Sequence, residues 1–450
     1  MHSRDSLTRL RPLALALAVA VVLADSSVVI LALPAILNEF HVEIPTVAWV
    51  LTSFNLVLAV CAVPVAYVAR RHPRAVLIVG AIIFAGASAV CALSGGFTEL
   101  MVARCVQAVG GAGIVTAALD LMPATVNRDR DGVHLWAMAG AIGLAVGPAL
   151  GGALTQLLSW RAIFFAQVPV IAVIGVVLGV VGQRSTERAG RPRVAANVAL
   201  ALVSASLTAA LFLLVLLLIN GWGMRPLAAA ITVSVMPLAA VGAERLPQLR
   251  VGTFARAAAG AIATAAGVAA LGLLPRAGVA WTLAPQILVG LGLGLTVGAL
   301  TEAALAGRSQ HSIHGGWTVA ARHIGVVVGI VVLTPIFVAD FDNQQTRGQD
   351  AVLAVTLDSP VNMTTKLQLM RKGAVVVEQA VERIPDLTPV FNSITPSPDD
   401  RADYAALENR LNDQLRRASS AAVVRSFLIA GLFGLLALIP IFVARTRAEL

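Results

Sequence analysis

Apolar residues run in long, unbroken stretches separated by short polar connections. Twelve such stretches occur, over about residues 12–33, 47–69, 75–95, 99–123, 134–158 and 162–182, then 196–219, 226–243, 256–275, 279–306, 315–339 and 422–444. Each matches the ~20 apolar residues that an α-helix needs to cross a bilayer. The stretches show no polar/apolar alternation, which excludes a transmembrane β-barrel. The first stretch carries a loose signal-peptide look, with Leu23-Ala24 ahead of Asp25. Its apolar character continues through Val28–Ile36, past a normal signal core, so it reads as a retained span.

Composition agrees with this pattern. The 450 residues are 58% hydrophobic and only 13% charged, with a mean hydropathy of +0.84. Soluble domains carry about 25% charged residues, so this chain belongs in lipid. The net charge of +9 comes from 31 Arg and 2 Lys against 24 acids, and most of the Arg lie in the short connections. That distribution sets topology and does not make a nucleic-acid face. With the N-terminus inside, the cytoplasmic segments hold eighteen arginines, among them Arg70, Arg71, Arg74, Arg245 and Arg250, whereas the outer loops hold three, Arg161, Arg225 and Arg276. An even number of spans then places both termini in the cytoplasm.

The domain plan follows. Residues 1–182 form one six-helix half, 183–195 a cytoplasmic linker, and 196–340 spans 7–11 of a second half. Residues 341–420 form a polar insert, and 421–450 the final span and tail. A basic turn after span 2 (residues 69–74) has a counterpart after span 8 (245–256), which supports two parallel six-helix repeats with substrate bound between them. The insert has 11 acids and 9 bases, and topology places it outside. Helical periodicity over 364–382 and 400–417, broken near Pro385 and Pro396, leaves two readings open. One is a small helical cap or partly disordered loop, the other a docking surface for an extracytoplasmic partner.

In span 5, Gly140, Gly143, Gly147 and Gly151 recur at steps of 3, 4 and 4, followed by Gly152. They make one helix face on which a neighbour can approach closely, and Pro148 removes a backbone donor among them. With these residues the chain resembles the major facilitator superfamily, closest to its bacterial drug:proton antiporters of 12 or 14 spans, in which such a stretch is typical of exporters. Further matches fall in order: Asp25 ahead of Ala32-Leu33-Pro34, Trp49–Phe54, Arg104-Cys-Val-Gln107 with Gly110-Gly111, Ser159-Trp160-Arg161 with Phe164-Phe165 and Val168-Pro169, and Arg322 with Gly325 and Gly329. The resemblance is dense in the first half and thin in the second. Gly221-Trp222 and Glu244-Arg245 are similar to the extra helix pair of 14-span relatives, which would make the second half a shortened one. The family's loop after span 2 normally carries an acid that latches the halves. Here Arg70 stands in its place, with Ala66 and Pro73 where glycines belong.

Ionisable residues inside spans are costly and so are functional candidates. Asp25 precedes Pro34 by nine residues, or ~13 Å, and Arg104 lies five residues into span 4, or ~8 Å, at 1.5 Å per residue. Asn55 and Gln107 fall at similar depths as substrate-cavity candidates. Burial disfavours a charged carboxylate and a nearby guanidinium favours it. Asp25 is therefore expected to carry the proton with Arg104 tuning it; the competing reading is a static ion pair. Glu302 and Arg322 are expected to pair across adjacent spans as a bridge or gate. Asp120 is expected to answer the Arg70, Arg71 and Arg74 cluster in place of the lost latch.

No cofactor is implied. GxxxxGK[ST] is absent, His41, His134, His311, His314 and His323 lack metal-site spacing, and the three cysteines make no framework. No HExxH or nucleophile elbow occurs, so an enzyme is not expected. The expected fold is an all-α, roughly twelve-span bundle of two halves. The expected function is proton-coupled export of lipophilic small molecules, cations among them, from the cytoplasmic membrane of a bacterium. The alternative is a transporter-like scaffold or sensor acting through 341–420.

Overall fold

The computed structural model describes residues 2–126, 129–174, 190–244, 252–305, 311–379, 387–396, 398 and 400–449. The described part is helical with no strands. In the first half come α1 (His2–Ile30), α2 (Leu33–Phe40), α3 (Ile44–Ala69), α4 (Pro73–Leu93), α5 (Phe97–Leu121), α6 (Asp129–Leu157) and α7 (Arg161–Phe165). The second half has α8 (Val194–Leu216), α9 (Pro226–Val233), α10 (Val235–Glu244), α11 (Thr253–Gly272), α12 (Val279–Leu305), α13 (His311–Asp358), α14 (Met363–Gln379), α15 (Thr388–Asn392), α16 (Arg401–Leu436) and α17 (Leu438–Glu449). Eleven helical segments are long and apolar enough to span a bilayer.

The expected sixth span differs. Its described part is the short α7, then a 3-10 stretch over Val168–Ala172. Pro169 has no N–H to extend an α-ladder there. The rest of that span, most of the 183–195 linker and the second basic turn at 245–251 lie outside the described residues. Elsewhere, proline sets where helices begin. Pro34, Pro45, Pro73 and Pro226 each occupy the first turn of α2, α3, α4 and α9, where a missing N–H costs nothing. Pro73, which departs from the family's glycine, thus starts α4.

Small residues decide which helices touch. A methyl group at Gly143, Gly147 or Gly151 would overlap the Ala20 carbonyl, Ser27 Oγ or the Val28 carbonyl, so this face of α6 lies directly on α1. Gly152 points elsewhere, against Ala230 and the Pro226 carbonyl of α9, and so joins the two halves. Without a hydrophobic driving force between helices in lipid, such close approach is the main source of packing energy. Gly80, Gly110 and Gly113 do the same between α4 and α5, and Gly260 and Gly292 between α11 and α12.

The halves meet along two seams. At the end that carries residues 69–74, here the basic end, Gly316 of α13 sits on Ala62 and Ala66 of α3, and Gly315 sits on Leu119 of α5. At the opposite end, besides the Gly152 contact, Gln156 Oε1 accepts a hydrogen bond from the Leu227 amide at 2.9 Å.

The described residues of 341–420 begin and end as continuations of spans. The 48 residues of α13 cross and carry on through Phe341, and α16 runs unbroken from Arg401 into the last span. At 1.5 Å per residue α13 is ~72 Å long, more than twice the ~30 Å hydrocarbon core. Beyond the bilayer α13–α16 close around a small core of Val361, Leu369, Phe391, Tyr404, Leu407 and Leu411, making a helical cap. Tyr404 Oη donates to the Phe391 carbonyl at 3.0 Å and stacks at 5.1 Å on its ring.

Candidate functional site: a buried charge ring

Asp25 of α1 and Arg104 of α5 form a bidentate pair, Nη1 to Oδ1 at 2.9 Å and Nη2 to Oδ2 at 2.7 Å, with both side chains fully buried. Arg104 Nη1 also donates to Gln107 Oε1 at 2.6 Å, and Gln107 Nε2 donates to Gln167 Oε1 at 2.6 Å. Gln167 Nε2 then donates to Asp25 Oδ1 at 2.9 Å, which closes a four-membered ring of side chains. Ser88 of α4 accepts from Gln107 at 2.7 Å and itself donates to the Phe84 carbonyl. The remaining arginine donor, Nε, reaches the Val50 carbonyl of α3 at 3.1 Å. The guanidinium lies 4.2 Å from the Phe54 ring centroid and 5.5 Å from that of Phe164.

Its members and their anchors come from several elements, so the ring ties α1, α3, α4, α5 and the turn after α7 together. Arg104 and Gln107 are one helical turn apart and share a face of α5. Burying two opposite charges without loss requires good geometry and satisfied remaining lone pairs, and the ring provides both. Chemically it is a carboxylate whose two oxygens are held by three N–H groups, fully buried from solvent. Protonating Asp25 would break the bidentate pair and free Arg104.

Gln167 was not singled out from the sequence. Its signal was a lone amide in the apolar run Phe164–Ile171, close after the Trp160-Arg161 pair. Asn55, expected with Asp25, belongs to a second cluster. Its Nδ2 donates to the Leu51 carbonyl at 2.8 Å, and its Oδ1 accepts from Ser26 Oγ at 3.1 Å. That oxygen also lies 2.6 Å from Nδ1 of His323 on α13, across the boundary between halves. Because Asn55 Oδ1 can only accept, the hydrogen is assigned to His323 Nδ1.

The expected Glu302–Arg322 pair does not form. Glu302 Oε2 lies 3.3 Å from Arg256 Nη2 at the exposed basic end of α12. Depth is the reason. Glu302 is three residues from the end of α12, whereas Arg322 is eleven residues, ~16 Å, into α13. Asp120 likewise has another partner than the arginine cluster. Its Oδ1 accepts from the Ser312 amide at 3.2 Å, at the first turn of α13. Arg70 stands over the Tyr67 ring at 5.8 Å, and Arg71 and Arg74 are exposed. Among the described residues no group of three or more His, Cys, Asp or Glu is placed to hold a metal ion.

Comparison with known proteins fits this geometry. The family model described as Major Facilitator Superfamily matches residues 15–330. A tetracenomycin C resistance and export protein of Streptomyces glaucescens is 32% identical over 234 residues, covering 49% of this chain and 42% of that one. Drug efflux pump JefA of Mycobacterium tuberculosis is 31% identical over 170 residues, covering 37% and 34%. These matches thus span less than half the length of either relative. Among solved structures, a bacterial homolog of the human lysosomal transporter Spinster, inward-facing and unoccupied, superposes with a TM-score of 0.64 at 16% identity, covering 97% of this chain and 98% of that one. The human organic anion transporter MFSD10 gives 0.59 at 14% identity, covering 73% and 94%. At such identities these two likenesses speak for the fold alone.

Proposed function

Since the chain belongs to the major facilitator superfamily, a family of multi-pass membrane transporters, we propose that it exports lipophilic small molecules in exchange for protons, by alternating access between its two halves. The observation that carries this reading is the sealed Asp25–Arg104–Gln107–Gln167 ring. Asp25 is the proton carrier. Taking up a proton abolishes its attraction for Arg104, and the freed guanidinium pulls on Gln107 and on the Val50 carbonyl. The strain passes to α3 and α5, the helices that meet α13 at the basic end. Losing the proton re-forms the pair and restores that packing.

The names of the relatives as export and efflux proteins support the direction of transport. The arginine distribution supports placing the basic end and both termini in the cytoplasm, in the cytoplasmic membrane of a bacterium. Asp120 serves as the cytoplasmic latch in place of the charge-inverted loop. Its carboxylate sits at the positive end of α13 and holds the halves together there.

The test is efflux of a lipophilic dye from cells expressing the protein, with and without a protonophore, beside Asp25→Asn. The expected result is uncoupler-sensitive efflux that Asp25→Asn abolishes while the variant still inserts in the membrane, with a lowered melting temperature because Arg104 is left without its buried partner. Proton-driven efflux at an unchanged rate in the variant would remove Asp25 from the coupling step.

A further inference from the structure

Arg322 lies at mid-depth in α13, and its surroundings fix where it points. Trp317, Ile324, Val328 and Val331 are all exposed and form the lipid-facing stripe of the helix. At 3.6 residues per turn Arg322 falls on the opposite side. Gly325 and Gly329 to one flank rest on Ala201 and Ala205 of α8. On the other flank His323 meets Asn55, and Gly316 meets Ala62 and Ala66, all on α3. The guanidinium is therefore directed at the seam between the halves. It is only part-buried, and among the described residues it makes no hydrogen bond or ion pair.

Among the described residues the other acids of the spans each lie against a partner. Asp25 and Arg104 cancel within their ring, Glu302 is held by Arg256 at the basic end, Asp340 lies 3.8 Å from Arg425 at the far end, and Asp120 is on the Ser312 amide. Among the described residues the mid-depth seam thus has one uncompensated charge, and it is positive. A cationic substrate would find no open carboxylate there and would meet Arg322. A lipophilic acid would find a planar fork of donors suited to a carboxylate or phenolate. An intramembrane arginine without a partner is costly and is expected at a site that a counter-ion visits.

We infer that Arg322 is the substrate-recognition residue of the seam and that the exported class is lipophilic organic acids, not lipophilic cations. This rests on the exporter reading above and revises the cationic expectation drawn from the sequence.

The test uses two dyes with the same xanthene core, anionic fluorescein and a cationic rhodamine ester. Efflux of each is followed in cells expressing wild type, Arg322→Gln or Arg322→Lys at matched membrane levels. The expected result is efflux of fluorescein well above that of the rhodamine ester. In Arg322→Gln the ratio of anion to cation efflux should drop about tenfold, and Arg322→Lys should restore part of it. A purely structural role for Arg322 would lower both dyes together and leave that ratio unchanged, which overturns the inference. Efflux of the rhodamine ester alone, unaffected by either substitution, also overturns it while leaving the exporter reading intact. If neither dye moves in the wild type, the exporter reading fails and this inference fails with it. Should Arg322→Gln not reach the membrane, the ratio in Arg322→Lys decides. A maximal fluorescein rate kept at a raised KM supports direct contact, and an unchanged KM refutes it.

Discussion

Gln167 closes the charge ring with both ends of its amide. It accepts from Gln107 and donates to Asp25, so it holds both the carboxylate and the amide that steadies Arg104. Gln167→Leu keeps the bulk and removes both bonds. The expected loss is about 1–3 kcal/mol of stability, together with a shift in the pH dependence of transport. Thermal unfolding in detergent and efflux against external pH would measure the two. A second residue-scale prediction concerns Glu39, outside the spans. Burial pushes its carboxyl up, but hydrogen bonds from Trp160 and Arg161 and the charge of Arg161 together bring it below its usual 4.5. A carboxyl lowered by folding adds stability above its unfolded value and loses it as pH falls through the folded one. Wild type should therefore exceed Glu39→Gln in melting temperature at neutral pH, with the gap closing through the carboxylate range. The gap is small, since Glu39 is 42% exposed and its partner 29%. A gap independent of pH would refute this account.

At the scale of elements, the glycine face of α6 and the continuity of α13 matter most. Gly147→Leu would drive a side chain into Ser27 and the Ala24 carbonyl and force α6 off α1. Because Asp25 lies on α1 two residues before Ser27, the displacement should disturb the charge ring as well as the packing. Efflux should be lost, and thermal stability should fall by several degrees; retention of both would mean that α1 and α6 can separate without consequence. The glycine spacing made this face legible in the sequence. Its partner was not, because a small-residue face specifies close approach without naming the neighbour. The cap shows a converse limit. Periodicity located its helices near 364–382 and 400–417, yet nothing in a polar segment signals that α13 and α16 carry straight on into it. Leu411→Ala, in the cap core, should cost about 2–5 kcal/mol locally. Limited proteolysis should then cut the cap while the membrane bundle stays whole.

For the whole molecule, contact at both seams is the central fact. The halves touch at the basic end through α3, α5 and α13, and at the far end through α6 and α9. Alternating access requires each seam to open in turn. Cysteines at Asp120 and Ser312, or at Gln156 and Leu227, introduced after replacing Cys61, Cys91 and Cys105, should each stop efflux when joined by a short bifunctional reagent. A protein that exports at full rate with either seam cross-linked would refute alternating access.

The sequence by itself determined the class of protein and its all-helical, many-span build. Continuous apolar runs of span length can only be helices in lipid, because no other backbone arrangement satisfies its own hydrogen bonds there except a closed barrel. It also placed Asp25 and Arg104 both in the outer half of their spans, ~13 Å and ~8 Å deep, since rise per residue converts position along a span into distance from the membrane face. What it could not supply is the rotation of each helix and the identity of its neighbours. Tertiary packing set those. It put Gln167 into the ring, turned Asn55 toward His323 in the other half, gave Asp120 the Ser312 amide, and separated Glu302 from Arg322 by depth. Side-chain pairing across helices depends on azimuth and register, and in spans made mostly of apolar residues only the packed bundle fixes either.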